Sequence, residues 1–474
     1  MSTFTVTNTN NSGAGSLRQQ ILNADLAGGT NIINFGGLFS DGLAHTINLT
    51  GSGLSITDNL TIQGTNPNLL TVKDDSATRV FDIASGATAT INGLTITNSY
   101  KGTGGGAISN EGVFTLNNSI ITGNTAETGS TNYGFGGGGG IFNDGTLTVN
   151  YSTLNNNTAE SGSSSVADAN GGGGGIFNNG TLTVNHSTLN NNTAEAGSSY
   201  ENGGGGGIYN DGTLTVNYST LSNNKTGTNS DYYSGGGINS DSGGLVVNNS
   251  NITSNTTSGN GGGIFSSSFV LNNSNITGNT AAYGGGIASG QFLNDEIITV
   301  NYSNITGNSA TLDGGGIYNR GKTLLVSKST ITGNSATSDG GGIDGINGYF
   351  YAVGGPIGVV FHDMLILGNI NVSNSTISDN QAHFGAGIYN DGNLTVGNST
   401  IKHNKAFGIE LSSSNYKSGE GGGIYHNSTD YATSTVDYST IACNFDTAEE
   451  DSNKFIKLDN LVGKFITKGS FVRV

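Results

Sequence analysis

The stretch GGGGGIFNDGTLTVNYSTLNNNTAE, residues 136–160, returns almost unchanged as GGGGGIFNNGTLTVNHSTLNNNTAE at 171–195 and as GGGGGIYNDGTLTVNYSTLSNNKTG at 203–227. Its centre, TLTVN, sets Leu147 and Val149 between Thr146, Thr148 and Asn150. That alternation has the period of a half-buried strand. Asn, Thr and Gly at this density oppose helix. Each copy therefore reads as three short strands, at GGIFN, TLTVNY and STLNNN. Asp144-Gly145, Asn179-Gly180, Asp211-Gly212 and Asp391-Gly392 mark the turn between the first two.

Asp-Gly first suggests a hairpin, but the repeat argues otherwise. The side chains of TLTVN match best the same strand one copy later. Stacking like on like gives three parallel sheets wound as a parallel β-helix, right-handed by the twist rule for parallel crossovers. Ile141, Leu147, Val149 and Leu154 then point inward, each on its counterparts above and below.

Two elements carry the repeat along the chain. Gly-Gly-x-Ile recurs from Ile108 to Ile424, at spacings of 23 to 45 residues. Ile or Leu followed three residues later by Asn gives Asn124, Asn157, Asn192, Asn224, Asn255, Asn279, Asn308, Asn334, Asn380, Asn404 and Asn444. Periods of this size mark solenoids. The aligned Asn residues are expected to form an internal ladder, each amide satisfying polar groups at a bend.

The chain has 474 residues, with 81 Gly, 2 Pro, no Trp and one Cys. Such a Gly content without a period would suggest disorder; with one, it suggests order. The net charge of −17 disfavours nucleic acid and anionic membrane surfaces. Cys443 has no partner for an internal disulfide. The opening MSTFTVTNTNNSGAG has no basic n-region or apolar h-region, so no export signal is visible. No apolar run approaches the roughly 20 residues of a membrane helix.

Four regions are expected. Residues 1–44 form an N-terminal cap, with a helix in SLRQQILNADLAGG that Ser16 and Gln19 cap and that faces the core through Leu17, Ile21 and Ala24. Residues 45–104 read as irregular coils, and 105–444 as eleven repeat units with an insertion at about 344–370. After Phe445 the pattern fails, and 445–474 reads as a C-terminal cap covering an exposed sheet edge.

The GGAI at 105–108, the later Gly-Gly-Gly-Ile elements and SLRQQILNAD together resemble the repeats and N-terminal motif of polymorphic outer membrane proteins and other bacterial surface β-helix proteins. The resemblance spans residues 16–444 and implies a three-sheet, pectate-lyase-like solenoid at the cell surface or outside the cell. It is specific for fold and weak for function, because β-helices serve adhesins and polysaccharide enzymes alike. The series of lipid-facing strands that would form an autotransporter barrel is not present. The Gly runs do not match the calcium nonapeptide.

Pectate-lyase-like enzymes, by the same resemblance, would need acidic and basic groups converging on one sheet. His362, His383 and His403 are the catalytic candidates, gathered near the irregular C-terminal coils. His186 replaces Tyr151 and Tyr218 in register and reads as a repeat variant. Asp144, Asn179 and Asp211 stack at one turn and offer oxygen ligands for weakly held calcium, although Asp and Asn also simply suit a turn. The outward residues of the third strand are small and polar, among them Thr153, Thr188, Thr220, Thr253, Thr277, Thr306 and Thr332, and Lys402 alone is charged.

That long uncharged face suits a polysaccharide, a cell-surface glycan or a homotypic contact. The expected function is a non-enzymatic, secreted or cell-surface β-helix protein, adhesive or polysaccharide-contacting. A polysaccharide lyase, glycoside hydrolase or epimerase acting at the irregular C-terminal coils is one alternative, and an ice-binding solenoid is another. No cofactor is expected beyond weak calcium.

Overall fold

A computed structural model describes residues 1–75, 78–101, 104–127, 137–160, 172–195, 203–227, 233–240, 243–290, 296–350, 364–412, 415–417, 419–427, 432–447, 456–458, 461–462, 466–468 and 471–472. The chain divides into two compact units, Met1–Gly259 and Asn260–Val474. Both are parallel β-helices, with each strand paired to its counterpart one coil away.

In the first unit, sheet one contains Ile141–Asn143, sheet two Thr146–Asn150 and sheet three Thr153–Asn155. Stacking is in register. Leu147 pairs with Leu182 and Leu182 with Leu214, while Val149, Val184 and Val216 do the same. Ile141 stacks with Ile176 and Ile208, and Leu154 with Leu189 and Leu221. All are fully buried. Truncating such a side chain to Ala costs about 2–5 kcal/mol.

Most regular coils also have a fourth strand that the three-strand reading missed. Thr158–Glu160 pairs with Thr125–Glu127 on one side and with Thr193–Ala194 on the other. In the second unit the equivalent run includes Thr280–Ala281, Ser309–Ala310 and Ser335–Ala336. Its inward residue is mostly Ala, and Ala310, Ala336, Ala382, Ala386 and Ala406 form one buried cluster. Strands of two or three residues built on Ala carry no β-propensity signal.

The Asp-Gly turns work differently from a hairpin turn. Gly145 has no left-handed backbone, since it is absent from the glycines with positive φ. Its role is close approach: a Cβ there would lie 2.0 Å from the Gly112 carbonyl oxygen of the stacked coil. The Gly runs serve the same end, for a Cβ on Gly139 would meet the Gly174 oxygen at 2.3 Å. Glycine here lets backbones stack.

The Asn ladder is present in both units. In the first, the Asn124 side-chain and backbone amides both donate to Asn157 Oδ1, at 2.9 and 3.2 Å. The pattern repeats from Asn157 to Asn192, Asn192 to Asn224 and Asn224 to Asn255. In the second it runs through Asn279, Asn308, Asn334, Asn380, Asn404 and Asn444. Asn157 Nδ2 also donates to the Ile121 carbonyl at 3.0 Å, so one side chain satisfies several buried groups. Two further ladders lie at the other corners. Asn110, Asn143, Asn178 and Asn210 are joined at 2.6 Å, and Ser119, Ser152, Ser187 and Ser219 accept in turn from the backbone N–H one coil earlier.

The ends follow from the same stacking. Helix α1, Leu17–Ala27, is capped by Ser16 accepting from the Gln19 N–H, and it buries Leu17, Ile21 and Ala24. It rests on Ser2–Val6, Asn31–Phe35 and Leu54–Ile56. Arg18 fastens it, donating to the carbonyls of Asn11, Ser52 and Gly53. Near the C-terminus, Phe445–Thr447 pairs antiparallel with Ile456–Leu458. Leu461–Val462, Ile466–Lys468 and Phe471–Val472 add a further parallel strand to each of the three sheets.

Candidate functional site

The corner between sheets two and three forces one residue per coil into the left-handed region. In the first unit these include Gly93, with φ 64°, and Asn118, Tyr151, His186, Tyr218 and Asn249, with φ between 45° and 50°. Asn accepts this conformation readily, whereas for a bulky side chain it is a true outlier. Tyr151, His186 and Tyr218 nevertheless occupy it in successive coils. Their rings stack with centroids 4.9 Å apart and planes within 3° and 6° of parallel. Tyr151 is 62% exposed and Tyr218 58%.

On the sheet-two side of this stack runs an outward amide ladder. Asn150, Asn185 and Asn217 each donate to the Asn one coil earlier, at 2.8 to 2.9 Å. On the sheet-three side lie two columns. Thr153, Thr188, Thr220 and Asn251 form the first, and Asn155, Asn190, Ser222 and Thr253 the second. The second unit repeats the arrangement with Asn275, Asn304 and Thr330 beside Thr277, Thr306 and Thr332. Of the seven threonines singled out in the sequence, Thr153, Thr188 and Thr220 stand in the first column and Thr253, Thr277, Thr306 and Thr332 in the second. Tyr302 holds the corner there, 55% exposed, with the Lys328 ammonium donating to its hydroxyl at 2.6 Å.

Two of the three histidine candidates lie among the described residues. His362 lies outside them. His383 is buried, with Nδ1 2.6 Å from the Phe407 carbonyl, which fixes it as the donor of that bond. His403 occupies the left-handed position before Asn404, exposed, with Nδ1 3.8 Å from Asp379. At the Asp-Gly turns, Asn179 Nδ2 donates to Asp144 Oδ1 at 3.0 Å, and Asp144 is exposed. No group of three His, Cys, Asp or Glu side chains among the described residues could hold a metal ion.

One polar constellation was not anticipated. The outward column of sheet one in the second unit reads Tyr318, Asp344, Tyr389, Tyr425, so an acid interrupts a line of aromatic residues. Asp344 is fully buried, and neither carboxylate oxygen has a hydrogen-bond partner. Burial, with Asp313, Asp339 and Asp391 nearby, raises its pKa well above the usual carboxylate range. Burial also raises Asp313 and Asp391, pushes the Tyr318 and Tyr389 hydroxyls out of the ordinary titration range, and lowers His426. The sequence signal was Asp in GGGID where the other units have Phe, Tyr, Ala, Ser or Asn after Ile, together with Asp313 and Asp339 one residue before their Gly runs.

No family model matches the chain, and no curated protein matches its sequence. Among solved structures it is similar to the A-module of the mannuronan C-5 epimerase AlgE6 of Azotobacter vinelandii, at 12% identity and a TM-score of 0.40, over 99% of each chain. It is also similar to the A-module of the epimerase AlgE4 from the same organism, at 10% identity and a TM-score of 0.33, over 99% of this chain and 97% of that one. At these scores the fold assignment rests on the parallel register of the strands themselves.

Proposed function

We propose that this chain is a secreted or cell-surface β-helix that binds an extended, largely uncharged polysaccharide along the corner between sheets two and three, without turning it over. The observation that carries this reading is the aromatic stack. A left-handed bulky residue costs about 1–2 kcal/mol, and each stacked pair returns about 0.5–1.5 kcal/mol. Three such residues make two pairs, so the rings gain nothing over the Asn that other coils use at the same position. Their retention in the open, between an amide ladder and two small-polar columns, points to recognition. Ring edges, hydroxyls and amides together suit a sugar chain.

Spacing supports the same reading. Equivalent groups recur once per coil, so a long polymer meets many weak, identical contacts and gains by avidity. The net charge of −17 disfavours a polyanion. Of the groups named for the enzyme alternative, His383 is buried, His403 is exposed beside Asp379, and His362 lies outside the described residues.

The test is co-sedimentation of the full chain with insoluble neutral glucans, xylans and chitin, against alginate and pectin as polyanions, with release of reducing ends followed in parallel. Retention on at least one neutral polymer without release is the expected result. Cleavage or retention confined to the polyanions would refute the proposal, and thermal hysteresis without any retention would assign the flat columns to ice.

A further inference from the structure

We propose that the second unit contains a proton switch: Asp344 is held as the neutral carboxylic acid, and its ionisation loosens the coil that leads into the hairpin of Gly348–Phe350 and Met364–Ile366. The argument starts from placement. Asp344 belongs to the strand Ile343–Ile346, between Ile317–Arg320 on one side and Ile388–Asn390 on the other. Its register neighbours are Tyr318 and Tyr389, so rings flank it along the column. On the remaining side the chain itself closes in, because a Cβ on Gly340 would lie 2.4 Å from Asp344 Cβ. The carboxyl group has no exposed surface and neither oxygen has a donor.

A carboxylate in such a place needs a cation or a proton. The charges that act on it are Asp313, Asp339 and Asp391, all of the same sign. Asp313 Oδ1 is committed to the backbone N–H of Asp339 at 3.1 Å. Arg320, on the strand of Tyr318, acts on the Tyr318 hydroxyl. Glu420, Tyr425 and His426 stand one coil beyond Phe384, Tyr389 and Asn390. The described carboxylates do not converge closely enough to hold a metal ion. The proton is the counter-ion that fits.

The sign of the pH effect follows. An unfolded Asp loses its proton near pH 3.9, while the folded protein keeps the Asp344 proton to higher pH. Above the unfolded value the native state binds the extra proton, so stability falls as pH rises through the folded value. The switch is therefore closed in acid and loosens toward alkaline pH. Loosening begins at Ile343–Ile346, next to the hairpin strands Gly348–Phe350 and Met364–Ile366, which pair antiparallel outside the parallel sheets.

The experiment uses the full chain at neutral pH. Infrared spectroscopy should show the carbonyl stretch of a protonated carboxylic acid that disappears in Asp344→Asn. Hydrogen exchange of the Ile343–Ile346 amides should rise with pH more steeply than base catalysis alone requires, and Asp344→Asn should remove that excess. If Asp344→Asn fails to fold, Asp391→Asn carries the test: removing one repelling charge lowers the folded value alone, so the excess rise in exchange should level off at lower pH. A missing protonated-acid band, or exchange that rises in the wild type and Asp391→Asn only as base catalysis requires, overturns the proposal. Stabilisation of the wild type, but not of Asp344→Asn, by calcium would overturn it as well and give the slot to a metal ion.

Discussion

The imidazole of His186 lies flat against the phenol of Tyr151, with centroids 4.9 Å apart and planes 3° from parallel, although both residues sit in a left-handed backbone conformation that Asn would adopt more easily. Stacking does not outweigh the strain at this corner, which separates its contribution to binding from its contribution to folding.

The first prediction follows directly. Replacing Tyr151, His186 and Tyr218 together by Asn, the residue found at the same corner in Asn118 and Asn249, should leave the melting temperature unchanged or raise it. Each position sheds about 1–2 kcal/mol of backbone cost, against about 0.5–1.5 kcal/mol lost for each ring pair. Calorimetry of the triple variant decides it, and a drop of many degrees would show that the rings are structural.

The ladder residues should behave in the opposite way. Asn308 accepts from both amides of Asn279 and donates to Asn334 and to the Ile276 carbonyl, all in the buried interior. Asn308→Ala leaves those groups unpaired and should cost about 1–3 kcal/mol. Thr306→Ala, two residues away on the outward face, should cost well under 1 kcal/mol. Denaturant titration of both variants tests the contrast, and equal losses would remove the ladder from the account of stability.

Glycine positions divide the same way. Gly145→Ala would drive a Cβ to 2.0 Å from a stacked carbonyl, so the coil must shift and the expected loss is several kcal/mol. Gly307 has a left-handed φ of 62° and open space around its Cβ position. Gly307→Ala should lose only the backbone preference, about 1–2 kcal/mol. Chemical denaturation orders the two, and the reverse order would contradict stacking as the reason for the Gly runs.

Much of the fold was legible because alternation survives translation. Leu147 and Val149 announce a strand, and their copies at Leu182 and Val184 announce its partner. The Asn157 series could be read for the same reason. The fourth strand could not, since Thr158–Glu160 is short and built on Ala. The Asn143 and Ser152 ladders were hidden because Asn and Ser beside a turn need no ladder to explain them. Leu461–Val462, Ile466–Lys468 and Phe471–Val472 still join the three sheets although they share none of the repeat's wording.

The site was legible only in part. The register of Tyr151, His186 and Tyr218 shows in the sequence, but the left-handed φ that gives it meaning depends on the corner. Asp344 is one letter in GGGID. Its isolation depends on Asp313, Asp339 and Asp391, which only the stacking of coils brings near.

The central claim is that the aromatic corner binds a polysaccharide, and the most direct measurement is the affinity of the Tyr151, His186 and Tyr218 to Asn variant for whichever neutral polymer retains the wild type. With the fold intact by circular dichroism, the account predicts a loss of at least roughly tenfold, the equivalent of about 1.4 kcal/mol, spread over the contacts of three coils. Undiminished binding by a folded triple variant would contradict it.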